Sequence, residues 1–455
     1  PAEWHSELST RERARVWRGI AEGRARVVVG ARSALFLPFS DLGLIVVDEE
    51  HEAAFKQDEG VNYHARDMAV VRASLGQFPI VLSSATPSLE TVVNVEQGRY
   101  ERVALTERHG VAEMPDISAI DMRSDPPERG QWLAPKLVAE ITKAFAAGEQ
   151  SMLFLNRRGY APLTLCRTCG HRIECPQCSA WLVEHRFRKE LVCHHCGYVA
   201  PVPKACPSCE AEDSLVACGP GVERIAEEVI ARFPEARVAV LSSDALRGPQ
   251  SHEDAFGAIS AREIDIIIGT QIVAKGHHFP WLTVVGVVDA DLGLENGDLR
   301  AAERTFQLLQ QVAGRAGRGE RRGRVYLQTY MPDHSVMRAL MAGDRDAFLA
   351  RESEARERVK LPPFGRLAGV VVSSENAGLA TSFARAMARG APVADDVAVL
   401  APAPLAMLRG RTRLRFLVKA GRNVNIQAYM EAWLGPMKVP GAIRISVDID
   451  PYSFL

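Results

Sequence analysis

An α/β fold built on parallel sheets is what the sequence predicts, and three observations carry it. Short apolar, β-branched runs alternate with stretches of helical spacing in the first part of the chain and again between Ser151 and Tyr330. Those runs end in polar loops, as in a doubly wound sheet, whose ligands bind outside the carboxyl ends of the strands. The length of 455 residues corresponds to about three domains at a prior of ~150 residues each.

The elements follow in order. A polar helix, Thr10 to Glu22, leads to a strand at Arg26-Val-Val-Val-Gly30. The apolar run Leu42 to Val47 passes directly into Asp48-Glu-Glu-His51. Helical spacing returns from Ala65 to Leu75, followed by a strand from Pro79 to Ser84. From Glu107 to Trp132 the pattern gives way to Pro- and Asp-rich sequence, read as an interdomain connection. A second α/β unit opens at Ser151-Met-Leu-Phe-Leu155, is interrupted by a cysteine block, and resumes as a helix from Gly221 to Phe233. Strands follow at Arg237–Leu241, Asp265–Gly269, Thr283–Asp289 and Arg324–Tyr330, with a long helix from Leu299 to Ala313. A third unit starts near Arg351, is entered through Leu361-Pro-Pro-Phe364 and closes on a strand from Arg444 to Ile449. There is no internal repeat and no low-complexity tract.

Composition narrows the class of protein. Hydrophobic residues at 47% and charged residues at 24% exclude a disordered or fibrous chain. No run reaches the ~18 apolar residues that span a bilayer, so no membrane role is expected, and no charged-then-apolar leader supports secretion. Lys+Arg 55 against Asp+Glu 56 leaves a net charge of -1, which neither indicates nor excludes nucleic acid, because binding needs only a local basic groove. Of nine cysteines, eight fall into a metal spacing, which argues for a reducing, cytoplasmic compartment.

That spacing is Cys166-x2-Cys169-x5-Cys175-x2-Cys178-x14-Cys193-x2-Cys196-x9-Cys206-x2-Cys209. Each C-x2-C turn converges two thiolates on one point, so two turns complete a tetrahedral site and four turns make two. Zinc suits the ribbon-like spacing; iron–sulfur is the remaining alternative and a disulfide framework the lesser one. The stretch between Cys178 and Cys193 alternates like a hairpin, which suggests that the inner pairs share one ion and the outer pairs the other. The spacing alone does not fix that nesting. With all four positions of each site filled by protein, both ions are expected to be structural. His194 and His195 are surplus to the ligand set, and Cys218 reads as a buried thiol.

Three further segments carry chemistry. In Asp48-Glu-Glu-His51 a carboxylate after a buried strand can hold the Mg2+ of a nucleotide while its neighbour activates a water. Ser84-Ala-Thr86 ends the next strand with two hydroxyls able to link phosphate state to a neighbouring lobe. Gln311-Val-Ala-Gly-Arg-Ala-Gly-Arg318 places Gln311, Arg315 and Arg318 at helical spacing, from which the two arginines could reach a γ-phosphate across a cleft as arginine fingers. In the third unit, Arg409-Gly-Arg-Thr-Arg-Leu-Arg-Phe416 on a strand would align Arg411, Arg413 and Arg415 on one face. Such a row over an apolar underside suits a DNA backbone, with a solvated outer face as the alternative.

Together the DEEH box, the SAT tripeptide and QVAGRAGR resemble the helicase motifs of superfamily 2. Gly30-Ala-Arg-Ser-Ala-Leu-Phe36, Gly269-Thr-Gln-Ile-Val-Ala-Lys-Gly-His-His-Phe-Pro280 and the four C-x2-C turns narrow the resemblance to the PriA (primosomal protein N′) family, over essentially the whole chain. The resemblance implies two RecA-like P-loop NTPase helicase lobes, a zinc-ribbon-like insert in the second and a small α+β C-terminal domain. Residues 1–110 would be the later part of lobe 1, 111–350 lobe 2 with its insert at about 164–217, and 351–455 the C-terminal domain.

It further implies roles for individual residues. Asp48 would bind Mg2+ and Glu49 serve as the base, with Gly314, Arg315 and Arg318 at the ATP phosphates and Gln311 at the water. Arg32, Ser33, Thr270 and Lys275 would face nucleic acid, with Thr270, Lys275 and Gly276 in the motif coupling nucleotide to DNA. Phe55 to His64 matches the family's aromatic-rich loop, with Phe55 and Tyr63 supplying rings that can stack on an unpaired base at ~1–3 kcal/mol. Zinc would be shared by Cys166, Cys169, Cys206 and Cys209 at one site and by Cys175, Cys178, Cys193 and Cys196 at the other. The implied activity is ATP-dependent 3′-to-5′ unwinding of stalled forks and primosome assembly. Implied partners are branched and single-stranded DNA, single-stranded DNA-binding protein, other primosome proteins and the replicative helicase, at the nucleoid.

Superfamily-2 ATPases cradle phosphates with a loop ending in Gly-Lys-Ser/Thr, and no Gly-Lys dipeptide occurs in this sequence. The start at Pro1, without an initiator Met and only 47 residues before the DEEH box, is read as truncation of a longer helicase, a natural variant being the alternative. Either way, poor ATP hydrolysis is expected of this chain by itself. A zinc-stabilised DNA- and partner-binding scaffold that does not hydrolyse ATP is the second functional reading. A zinc-ribbon subunit of transcription or ubiquitin machinery, the third, leaves DEEH, SAT and QVAGRAGR without purpose.

Overall fold

The computed structural model describes residues 1–57, 60–105, 114–128, 130–155, 163–166, 171, 173–176, 182–185, 190–193, 198–212, 214–218, 222–241, 249–270, 279–294, 298–317 and 321–452. They fall into two units, Pro1–Glu101 with Asp448–Tyr452, and Arg102–Val447. No helix among the described residues is long and apolar enough to cross a membrane.

Unit 1 begins with β1 (Ala2–Trp4) and α1 (Thr10–Ala21). Ser9 caps α1 by accepting from the Glu12 backbone N–H, and the Glu12 carboxylate accepts from the Ser9 N–H in return. β2 (Val28–Gly30) then runs parallel to β1. Gly30 is required there because a Cβ would stand 2.6 Å from the Trp4 carbonyl oxygen. β3 (Ile45–Val47) leads to the DEEH box, and β4 (Lys56–Gln57) and β5 (Tyr63–His64) pair antiparallel beyond it. α2 (Ala65–Gly76), β6 (Ile80–Leu82) and α3 (Leu89–Glu96) complete the unit, with β6 parallel to β3. The parallel alternation read from the sequence is present as two separate pairs, β1–β2 and β3–β6.

Unit 2 holds a six-stranded, all-parallel sheet. Its elements are β7 (Asp116–Asp121), α4 (Pro135–Ala146) and β8 (Gln150–Phe154), followed by the cysteine-rich insert. The insert contains β9 (Leu163–Cys166), β10 (Val183–His185), β11 (Glu190–Val192), β12 (Val199–Pro201) and β13 (Leu215–Cys218). The sheet then resumes through α5 (Val222–Arg232), β14 (Val238–Leu241), α6 (Pro249–Ser260), β15 (Ile266–Gly269), β16 (Leu282–Val287), α7 (Ala301–Ala313) and β17 (Arg324–Thr329). The strand order is β14-β15-β8-β16-β17-β7. β8, β15 and β16 are buried along their whole length, as parallel strands covered on both faces must be. On one face, Leu153, Ile266, Ile268 and Val284 pack under Leu137 and Ile141 of α4 and Ile225 and Val229 of α5.

One expectation needs correction here. Residues 107–132 are not a plain connection, because Asp116–Asp121 forms edge strand β7, in register with β17 from Asp116↔Arg324 to Asp121↔Thr329. Its Asp-Ile-Ser-Ala-Ile-Asp sequence is short and flanked by Pro, which hid a strand that needs only one partner.

The chain continues through α8 (Ser335–Ala342) and α9 (Arg345–Arg358) to β18 (Gly365–Ser374), α10 (Ala377–Arg389), β19 (Val397–Leu408), β20 (Arg411–Gly421), α11 (Ile426–Leu434) and β21 (Arg444–Ile449). These strands form a second sheet in the order β19-β20-β18-β21. Phe416, Val418 and Ala420 of β20 are buried, and Phe416 meets Trp433 of α11 edge to face at 5.5 Å. The boundary drawn at residue 351 falls within α9.

Candidate functional site

β3 carries the DEEH box out of its carboxyl end, and the four side chains divide into two exposed and two buried. Asp48 and Glu49 are exposed; the Asp48 carboxylate accepts from the Glu49 N–H at 3.0 Å, and Glu49 has a left-handed φ of 48°. That turn sends Glu50 and His51 inward. Glu50 accepts from the Ser88 N–H at 2.6 Å, from the Thr91 hydroxyl at 3.0 Å and from Arg66 Nη1 at 3.0 Å. His51 Nδ1 lies 2.7 Å from Ser84 Oγ, and its Nε2 lies 3.4 Å from Thr86 Oγ1. The box and the SAT tripeptide are therefore joined directly through His51.

Glu50 and Arg66 were not singled out in the sequence. Their pairing is buried on both sides, with side-chain exposures of 1% and 4%. Burial lowers the Arg66 pKa, but Tyr452, Asp67 and Glu50 outweigh it and hold the guanidinium well above its ordinary range.

In unit 2, Gln311 lies in the last turn of α7, and Gly314 caps it. The helix ends at Ala313, so Arg315 lies in the following turn and not at helical spacing from Gln311, which corrects the sequence expectation. Gly317 is required in the turn that follows: its φ is +69°, and a Cβ there would meet the Gly323 nitrogen at 2.4 Å. Arg315 is buried. Thr270 follows β15 at the carboxyl end of the sheet, where its N–H donates to the Leu241 carbonyl at 3.4 Å. Lys275, Gly276 and Arg318 lie outside the described residues.

The cysteine-rich insert is built by pairing. β9 and β13 run antiparallel with Cys166 opposite Leu215, which returns the chain to the start of the insert just after Cys206 and Cys209. The sulfurs of Cys166, Cys206 and Cys209 all lie within 4.8 Å of one another, with Cys166 and Cys209 at 3.6 Å. Three converging thiols from the outer pairs fit a tetrahedral zinc, which would ionise them and hold the two ends of the insert together. β10 and β11 form the hairpin expected between Cys178 and Cys193, in register from Val183↔Val192 to His185↔Glu190. Cys175 and Cys193, one from each inner pair, are buried in one cluster with Ile173, Leu182 and Leu191. Cys169, Cys178, Cys196, His194 and His195 lie outside the described residues, as does the Cys218 side chain.

The residues expected at nucleic acid are scattered in their commitments. Ser33 Oγ accepts from Trp4 Nε1 at 3.0 Å, and Arg32 donates to the Lys56 carbonyl at 2.5 Å. Tyr63 meets Phe36 edge to face at 5.3 Å, and Phe55 lies 6.4 Å from the His64 ring. On β20, Arg411 is bound to Glu375, the Ser373 carbonyl and the Ala442 carbonyl at 3.2, 3.0 and 3.3 Å. Arg413 and Arg415 are partly buried, and burial lowers both guanidinium pKa values, with the Arg415 charge adding to it at Arg413. Arg415 Nη1 is buried without a hydrogen-bond partner among the described residues.

Comparison with known proteins adds to this geometry. The family model for the PriA DNA helicase Cys-rich region (CRR) domain matches residues 175–201, and that for the primosomal protein N C-terminal domain matches residues 357–452. Replication restart protein PriA of Rickettsia felis is 47% identical over 456 residues, covering 100% of this chain and 70% of that protein. The Bacillus subtilis protein of the same name is 38% identical over 462 residues, covering 100% of this chain and 57% of the relative. Among solved structures, RecG bound to a three-way DNA junction is similar at 11% identity and a TM-score of 0.37, over 80% of this chain and 36% of that one. With the cysteine-rich region, the C-terminal domain and identity to the relatives along the whole of this chain in agreement, this chain belongs to the family of the replication restart protein PriA.

Proposed function

We propose that this chain is the motor-bearing part of an ATP-dependent DNA helicase that remodels stalled replication forks and starts primosome assembly. The observation that carries the reading is the division of the DEEH box: two exposed carboxylates, Asp48 and Glu49, on a scaffold locked by Glu50 and His51. Exposed acids at the carboxyl end of a strand fit a nucleotide-bound Mg2+, which would supply charge neutralisation at the phosphates. Asp48 is proposed to hold that ion and Glu49 to orient and deprotonate the attacking water. Gln311, Gly314, Arg315 and Arg318 are proposed to serve ATP, with Arg315 desolvated enough for its charge to act strongly. His51 passes the state of the box to Ser84 and Thr86.

On the DNA side, Phe55, Tyr63, Arg32, Ser33, Thr270, Lys275, Arg411, Arg413 and Arg415 are the proposed contacts, for branched and single-stranded DNA. Two structural zinc ions, each held by four cysteines in the outer and inner nesting, are proposed to fix the insert. Single-stranded DNA-binding protein, other primosome proteins and the replicative helicase are the proposed partners, in the cytoplasm at the nucleoid. Family membership supports these assignments, and 3′-to-5′ movement rests on family resemblance.

The sequence lacks a Gly-Lys-Ser/Thr phosphate loop, and we propose that residues 1–455 alone bind DNA without robust ATP turnover. Steady-state ATP hydrolysis by the purified chain, with and without forked DNA, tests this; strong DNA-stimulated turnover overturns it. Strand displacement from duplexes tailed at 3′ or 5′ by a PriA-family protein containing this sequence tests polarity. Displacement only from the 5′-tailed duplex defeats the 3′-to-5′ assignment.

A further inference from the structure

Five residues far from the DEEH box in sequence complete unit 1. Asp448–Tyr452 belongs to that unit, although Asp448 and Ile449 are the last two residues of β21. The segment meets the β4–β5 hairpin at two places. Lys56 Nζ lies 2.5 Å from Asp448 Oδ1 and donates to the Ile449 carbonyl at 3.2 Å, with the lysine side chain 4% exposed. The Tyr452 ring lies 4.7 Å from the buried His64 ring, tilted by 41°. His64 is held by packing alone, because neither ring nitrogen has a hydrogen-bond partner among the described residues.

The hairpin cannot supply this order itself. Its strands are two residues each, and an isolated two-stranded hairpin is at best marginally stable in water. A buried ammonium requires a counter-charge, and Asp448 provides it. Two residues beyond His64, Arg66 in the first turn of α2 donates from Nη1 to Glu50 at 3.0 Å and to Ser88 Oγ at 2.6 Å. A continuous path therefore runs from Asp448 and Tyr452, through Lys56, His64 and Arg66, to Glu50.

We propose that Asp448–Tyr452 is a positioning strap that clamps the β4–β5 hairpin and, through Arg66 and Glu50, fixes the backbone of the DEEH box. Asp448 and Tyr452 touch no reacting atom in this scheme; they act through Lys56, His64 and Arg66. The clamp stands on contacts alone, and only its consequence for catalysis rests on the proposed nucleotide role of Asp48 and Glu49.

Hydrogen exchange on residues 1–455 without nucleotide tests the clamp separately from that role. Tyr452→Ala and Asp448→Ala are expected to raise exchange rates by ~tenfold or more at residues 48–51 and 63–66. The six-stranded sheet should keep its protection, which separates strap release from global unfolding. Tyr452→Phe keeps the ring and should restore protection, and Lys56→Met should make Asp448→Ala nearly silent by removing the charge that needs a partner. The imidazole signals of His64 give a second readout: its pKa, about 3 when clamped, should rise towards 6.5 in Tyr452→Ala. Wild-type exchange at residues 48–51 in both alanine variants overturns the proposal, whatever ATP turnover does. If the clamp readouts behave as expected but Asp48→Asn leaves ATP turnover of a longer PriA-family protein intact, the nucleotide reading fails and the strap stands.

Discussion

His51 Nδ1 and Ser84 Oγ are 2.7 Å apart, a hydrogen bond that joins the DEEH box to the SAT tripeptide. Ser84 Oγ also accepts from the Thr86 N–H at 2.9 Å, which ties the two ends of the tripeptide to one hydroxyl. The other ring nitrogen of His51, Nε2, faces Thr86 Oγ1 at 3.4 Å, and the Glu49 carboxylate lies 3.6 Å from Nδ1. One imidazole thus reads both hydroxyls of the tripeptide. A double-mutant cycle of His51→Ala and Ser84→Ala in urea denaturation should show a coupling of ~0.5–1.5 kcal/mol. Additive effects would remove the direct link.

The neighbouring acids Glu49 and Glu50 should behave oppositely. Glu49 is exposed, so Glu49→Gln should change stability by less than ~0.5 kcal/mol. In a PriA-family protein that turns over ATP, the same change should abolish hydrolysis while leaving nucleotide binding. Glu50→Ala leaves Arg66 buried without its partner and should cost ~3–5 kcal/mol. Denaturation and ATPase measurements on both variants separate the roles, and similar stability losses would merge them.

The cysteine sites should fail independently. Cys166, Cys206 and Cys209 converge within 4.8 Å, whereas Cys175 and Cys193 share a separate buried cluster. Metal analysis by mass spectrometry should find two zinc ions per chain, falling to one in Cys206→Ser and to one in Cys193→Ser. Because thiolate binding releases protons, zinc should also leave as pH falls. A single zinc in the unaltered chain, or loss of both in either variant, would refute independent sites.

Local pattern revealed the elements whose partners lie nearby. The DEEH strand, the cysteine turns and the β10–β11 hairpin announce themselves by apolar runs and spacing. The strap does not, because Lys56 and Asp448 are 392 residues apart and Asp448 sits in no recognisable motif. Edge strand β7 was hidden by its Pro-rich flanks, and the turn at Arg315 by a glycine whose need appears only when Gly323 packs against it. Spacing likewise gave Arg411, Arg413 and Arg415 equal standing, whereas hydrogen bonding separates them.

That separation has a measurable consequence. Arg413 and Arg415, partly buried and with lowered pKa values, lack the set of partners that holds Arg411. If both arginines meet phosphates, Arg413→Ala with Arg415→Ala should reduce the slope of log K against log salt for single-stranded DNA by ~1.4 in total. Arg411→Ala should in addition lower stability by ~1–3 kcal/mol, because its protein partners lose a charge-assisted donor. An unchanged slope in the double variant removes the DNA platform.

His64 sets the response of unit 1 to acid. Burial first, and the Arg66 charge next, push its pKa from 6.5 down to about 3. The unfolded chain therefore binds a proton on His64 across a window in which the folded chain does not. Its contribution is constant above about 6.5, and stability falls as pH drops from there to about 3. The loss is ~1.4 kcal/mol per pH unit inside the window, an upper bound shared with any relaxation around the ring. Urea denaturation between pH 7.5 and 4.5 should show that decline, and His64→Leu, which has no proton to take up, should flatten it. A His64→Leu chain with the same pH slope as the unaltered one would show that His64 titrates normally and that the packing against Tyr452 does not hold it neutral.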